Sequence, residues 1–141
     1  MADMGFTPNL QASGNIKPFR FVTVSGAFQG AVASNLTVQQ IGVTDGSIYQ
    51  ASLLNSSGYH AISGTPITLQ PSNTVQIELG GSVSAGDYLM PEGTVAAPST
   101  EGRAILAAGA TAVCNYIALE AGASGEVIRA FRFGQRGPIF S

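Results

Sequence analysis

The chain has 141 residues, the size of one domain, with a formal charge of −2 and charged side chains at only 10% of positions, far below the roughly 25% of an ordinary soluble domain. Six cations against a sequence pI near 5.1 cannot neutralise many phosphates, which argues against nucleic acid as a partner. The single cysteine, Cys114, closes no internal disulfide, and the single histidine, His60, belongs to no Cys/His cluster, so neither a disulfide framework nor a metal or cofactor is expected.

Residues 1–18 read as an extended N-terminal arm. Pro8, Gly14 and Pro18 interrupt any period, and Phe6, Leu10 and Ile16 stand as isolated apolar anchors. No continuous apolar core of a secretory signal is present in this stretch, so the chain is expected to stay in a cytosol. From residue 19 to 134 the pattern is that of one all-β domain, with short strands separated by Gly, Asn, Ser and Pro. Strands are predicted over 19–25, 38–43, 47–54, 66–70, 74–79, 94–97, 103–108, 113–121 and 126–133, enough for a small antiparallel β-barrel. The clearest is 74–79, where Val75, Ile77 and Leu79 alternate with Thr74, Gln76 and Glu78. Residues 103–112 also suit a short helix, but Gly102 and Gly109 favour strand and turn. Residues 55–66 form the longest surface loop. Residues 104–113, the longest small apolar stretch, are too short to cross a bilayer. Residues 135–141 form a short C-terminal tail.

The residue types that carry chemistry do not assemble into a site. His60 would need an activated nucleophile beside it, and Ser56, Ser57 and Ser63 are near in sequence alone, none in a nucleophile elbow. A histidine in a Gly/Ser loop is ordinarily solvent-exposed. Asp87 with Glu92, and Glu120 with Glu126, flank turns, where strands keep their charges. No phosphate-cradling glycine loop is present. No enzymatic activity is therefore expected. Tyr59 beside His60 is the one candidate platform for a glycan.

The informative feature is a segregation. All seven phenylalanines and five of the six cations lie within residues 1–28 and 129–141, while residues 29–128 carry Arg103 alone against seven carboxylates. Phe and Arg are enriched where proteins meet permanent neighbours, so the ends read as attachment ends on an acidic body. The tripeptide Phe-Arg-Phe occurs twice, at 19–21 and 131–133, in what read as neighbouring first and last strands. Strand geometry puts the two rings on one face and the arginine on the other. Two arrangements stay open: the four rings plug one end of a barrel with solvated arginines, or Arg20 and Arg132 line a basic stripe facing an acidic partner. The sparse charge favours a surface covered by partners over a monomer solubilised by Ser, Thr and Asn.

Several motifs in order and spacing carry a resemblance. Residues 75–79, Gly80-Gly81-Ser82-Val83-Ser84-Ala85-Gly86-Asp87-Tyr88-Leu89, Gly102-Arg103-Ala104, Ala118-Leu119-Glu120-Ala121-Gly122 and Gly125-Glu126-Val127-Ile128 resemble the small capsid decoration, or cement, proteins of tailed bacteriophages. The match covers 75–133 well and 19–74 loosely, with Ile41-Gly42-Val43-Thr44 its best part, and does not reach the arm or the tail. The resemblance implies a small β-barrel or β-tulip and a viral structural protein of the virion. Such a protein binds the outer capsid surface, commonly as a homotrimer, with the major capsid protein and itself as partners and with no nucleic acid or membrane. On that reading Phe6, Leu10, Ile16, Arg20 and Arg132 are the candidate capsid-binding residues, and Arg136, Ile139 and Phe140 the candidate oligomer contacts. A receptor- or glycan-binding β module, such as a head fibre or tail-tip domain reading through loop 55–66, is the alternative, and a hydrolase using His60 a third.

Overall fold

The structure, a computed structural model, describes residues 10–33, 40–48, 58–92, 102–107 and 114–136, with residues 134–136 described by backbone alone. It is all-β, with ten strands: β1 Leu10–Ala12, β2 Phe21–Gly26, β3 Gln29–Val32, β4 Gly42–Val43, β5 Pro66–Ile67, β6 Thr74–Glu78, β7 Tyr88–Pro91, β8 Ala104–Leu106, β9 Cys114–Ala118 and β10 Val127–Arg136. They form two five-stranded sheets, in the order β4-β2-β3-β1-β5 and β6-β10-β9-β7-β8. All strand pairs are antiparallel except β1 with β3.

In each sheet the two outer strands come back together. Beyond β4 and β5, Thr44 bridges Leu69, and Gln70 N–H donates to Val43 O at 2.9 Å. Beyond β6, Leu79 bridges Ala104 at β8, and Gly80 N–H donates to Ala104 O at 2.8 Å. Joining outer strands removes the unpaired edges that invite aggregation. The first ring encloses Leu10, Ala12, Ile16, Val22, Ala61, Ile67 and Leu69. Its interior is narrow: a Cβ on Gly30 would lie 2.8 Å from Ile67 Cδ1, and one on Gly42 2.9 Å from Leu69 Cδ1. A second cluster lies inside the other sheet and continues into the first through Phe21, Ala33 and Val43. Phe21 packs on Tyr116 with ring centroids 5.2 Å apart. Full burial of one such aromatic or aliphatic side chain stabilises by about 1.5–3 kcal/mol.

The β6 pattern is as expected: Val75, Ile77 and Leu79 are buried. Of residues 103–112, Ala104–Leu106 form strand β8 and not helix, and residues 108–112 lie outside the described residues. Three strands, β1, β3 and β7, had no predicted counterpart, and predicted strand 94–97 lies outside the described residues. Residues 47 and 48 are not strand, and the rest of predicted strand 47–54 lies outside the described residues. The arm needs correction where it is described. Leu10–Ala12 is strand β1 inside the first sheet, and Ile16 bridges Ala61. The first and last long strands are not neighbours either, since β2 pairs with β3 and β4 while β10 pairs with β6 and β9.

The motifs behind the resemblance are matched turns. In Ser84–Asp87, Ser84 N–H donates to Asp87 Oδ2 at 2.8 Å, with Gly86 at φ 93°. In Ala123–Glu126, Ala123 N–H donates to Glu126 Oε1 at 2.8 Å, with Gly125 at φ 88°. Each needs glycine at its third position for the left-handed backbone, and the bridge between Val83 and Gly122 sets the two turns side by side.

Burial pushes the Cys114 thiol up to about 11 and the Tyr116 hydroxyl up to about 12, the latter against the opposing charge of Arg132. Both groups hold their protons more tightly folded than unfolded. Their contribution to stability is therefore complete below the ordinary thiol value near 8.5 and is lost as pH rises through 11 and 12. The native thiol should not react with a disulfide reagent at pH 8 but should react fully in denaturant, and thermal stability should fall between about pH 9 and 12.

Candidate functional site

The first Phe-Arg-Phe tripeptide lies at the seam between the sheets. Its backbone binds both: Arg20 N–H donates to Thr44 Oγ1 at 3.0 Å and Thr44 N–H to Arg20 O at 2.9 Å on one side. On the other, Phe21 N–H donates to Gly102 O at 2.9 Å and Glu78 N–H to Phe19 O at 3.3 Å. Phe19 has φ 59°, so the chain turns there and strand parity starts afresh at Phe21. That break buries both Arg20 and Phe21, at 4% and 0% exposure.

Arg20 is thus an internal cation. Its Nη1 donates to Pro18 O and to Glu78 Oε1, both at 3.0 Å. Arg103 donates through Nη1 to Glu78 Oε2 at 3.4 Å and through Nε to Glu92 Oε1 at 3.0 Å. Two arginines and two carboxylates from four chain segments therefore share one partly buried cluster. Desolvation lowers the Arg20 pKa from its ordinary value, against the stabilising field of Glu78. A second seam lies at Gln40, where Asn115 Nδ2 donates to Gln40 O at 2.7 Å with both residues buried.

In the second tripeptide the alternation holds, but its faces are reversed from the basic stripe. Arg132 turns inward and donates through Nη1 to Ile41 O at 3.1 Å, while Phe131 stays 38% exposed on the outer face. Register aligns Phe131 with Ile117 and Ile117 with Tyr88 across β10, β9 and β7. The Tyr88 and Phe133 rings meet edge-on at 5.4 Å. Tyr88 is 44% exposed, so the outer face of the second sheet carries an aromatic and aliphatic ladder.

Among the expected site residues, Leu10 and Ile16 are buried in the chain's own core and have no side chain to offer a partner. Arg20 and Arg132 serve internal contacts instead of a stripe. The backbone of Arg136 pairs with Cys114 at the end of β10, and its side chain, like Phe6, Ile139 and Phe140, lies outside the described residues. His60 is buried rather than exposed. Its Nε2 accepts from Thr68 N–H at 2.9 Å, so the ring proton is on Nδ1, which faces Ser47 O at 3.0 Å and Asp45 Oδ1 at 3.3 Å. His60 is therefore not an exposed part of that loop, whose residues 55–57 lie outside the described residues. The suggested carboxylate pairs are engaged separately: Asp87 and Glu126 close turns, Glu92 meets Arg103, and Glu120 accepts from Arg129 Nε at 3.0 Å and Arg129 N–H at 2.9 Å. Those bonds hold the Glu120 carboxyl below its usual range.

The residue that sequence reasoning missed is Phe28. It sits in the β2–β3 hairpin turn, 79% exposed, at φ 56°. Phe19 and Phe28 are the non-glycine residues with positive φ among the described residues. A large side chain in left-handed backbone costs about 1–2 kcal/mol, and such strain gathers at functional positions. Sequence offers no signal for it beyond an aromatic where a turn glycine is expected. Phe28→Gly should raise stability by about 1 kcal/mol, a shift of a few degrees in Tm by calorimetry.

No family model matches the chain, and no curated protein matches it. Among solved structures, the crystal structure of the head fibre gp8.5 N base of bacteriophage phi29 is similar, with a TM-score of 0.50 and 11% identity over 93% of this chain and 96% of that one. At that identity the likeness is one of fold.

Proposed function

We propose that the chain is a structural protein of a tailed-phage head, docked on the outer capsid surface as a cement that clamps adjacent major capsid subunits. The observation that carries this reading is the fold shared, along nearly the whole of both chains, with a phage head-fibre base. The sequence resemblance of residues 75–133 to decoration proteins points the same way through different features. Sparse charge suits a surface covered by neighbours. The chain would act as a homo-oligomer, a trimer in the decoration family, so that several modest contacts combine through avidity.

The contact set differs from the one that sequence suggested. Leu10, Ile16 and Arg20 are buried within the chain itself, whereas Phe28 at a hairpin tip and Phe131 with Tyr88 on the outer sheet present apolar surface. Exposed aromatic anchors are the residues on which interface energy concentrates. The likeness to a head-fibre base favours a second reading, the base of a head fibre, in which the same surfaces would seat a projecting appendage.

The test is to add the purified protein to heads that lack it and image them. Symmetric protrusions at many equivalent sites are expected for a cement, and sparse elongated projections for a fibre base. Phe28→Asp combined with Phe131→Asp should reduce head binding at least tenfold while leaving the circular-dichroism spectrum unchanged. Absence of binding by the unaltered protein would contradict both readings.

A further inference from the structure

The buried charge cluster opens on one side into a cleft of about 560 Å³, lined by Lys17, Phe19, Arg20, Glu78, Arg103 and Val127 among others. That volume falls in the range of roughly 300–1,000 Å³ typical of small-ligand sites. Three cations meet one carboxylate at its wall. Adding Glu92, which pairs with Arg103 from behind, still leaves an excess of one positive charge in a chain whose formal charge is −2. Lys17 supplies the excess. Its ammonium lies 5.2 Å from the centre of the Tyr59 ring and has no carboxylate partner among the described residues. Arg103 commits Nε to Glu92 and Nη1 to Glu78, which leaves Nη2 without an acceptor among the described residues.

The shape of the cleft also depends on unusual backbone. Phe19, which forms part of the wall, is one of the two strained phenylalanines. Its ring reaches Gly46, where a Cβ would lie 2.8 Å from Cζ, and Gly58 on the same wall has φ 74°.

We propose that this cleft binds the carboxylate of an acidic side chain, a Glu or Asp presented by a protein partner. Lys17 and the Arg103 guanidinium would receive the charge, and Phe19 and Val127 would contact the aliphatic stem. Charge-assisted donors suit a carboxylate. Among the described residues the cleft wall has no Ser, Thr, Asn or Gln side chain, the groups needed to satisfy the many hydroxyls of a saccharide, so the described chemistry favours a peptide over a sugar. The site stands independently of any role on a phage head, because it rests on the cleft alone.

The test is nuclear magnetic resonance titration of the labelled full chain with a capped Glu-containing tripeptide, its Gln counterpart and glucuronate. Saturable shifts of the Lys17 and Phe19 amides and the Arg103 Nε–H are expected, with an affinity of about millimolar. The Gln peptide should bind at least tenfold more weakly. Lys17→Glu should weaken the Glu peptide at least tenfold, and Lys17→Arg should retain it. Gly46→Ala, which displaces the Phe19 ring without touching a charge, should also weaken it. No saturable shift, equal binding of the Gln peptide, tighter binding of glucuronate, or indifference to both Lys17→Glu and Gly46→Ala would each overturn the proposal.

Discussion

The constraint on which the structure depends is the burial of Arg20. A guanidinium taken out of water costs several kcal/mol unless opposite charge and hydrogen bonds replace its hydration. Glu78 supplies the charge at 3.0 Å and Pro18 O a further acceptor. Glu78 comes from β6 of the second sheet, whereas the Arg20 backbone is held by Thr44 in the first, so satisfying one cation ties the sheets together. Arg103 and Glu92 extend the arrangement, and each carboxylate is then shared or matched. The left-handed turn at Phe19 follows from the same demand, because it lets Arg20 reach the cluster while Phe21 enters the core beside Tyr116.

This use of charge changes what the basic ends mean. Arg20 and Arg132 were expected to face an acidic partner, yet one neutralises Glu78 and the other donates to the Ile41 carbonyl. Arg129, which stays outside, meets Glu120. The described surface is left with few uncommitted charges and several half-exposed rings. The proposed attachment would then use apolar contact at Phe28, Phe131 and Tyr88, and Lys17 and Arg132 are the cations with described side chains that stand apart from an ion pair. Within the two ends where Phe and Arg are segregated, Phe28 and Phe131 stay at the surface while Arg20 and Arg132 serve internal contacts.

Local pattern made part of this legible. The alternation in 74–79 identified β6 with its buried face, and the parity of Phe131 with Phe133 held. Which face is buried did not follow, because alternation is blind to whether an arginine finds an internal carbonyl. Strand β7 escaped notice because Leu89, Met90 and Pro91 are all buried, which erases the period of two, and β3 because Gly30 occupies an inward position too tight for a side chain. Strand β1 is three residues long in a stretch without a period, and its pairing with β3 and β5 is a tertiary fact. The exposed place assigned to His60 failed for the same reason: Thr68 and Ser47, which hold its ring, are distant in sequence. Glycine turns carried the resemblance, and they specify a fold more than a contact surface.

The most direct test of the account is the coupling between Arg20 and Glu78, measured by denaturant unfolding of Arg20→Met, Glu78→Leu and the double variant. Glu78→Leu alone strands a buried cation and should cost about 3–5 kcal/mol. Combining it with Arg20→Met should recover much of that loss, giving a coupling energy of about 2 kcal/mol or more in a single cooperative transition. Additive losses with no coupling, or a Glu78→Leu variant as stable as the unaltered protein, would contradict the claim that this buried pair holds the two sheets together.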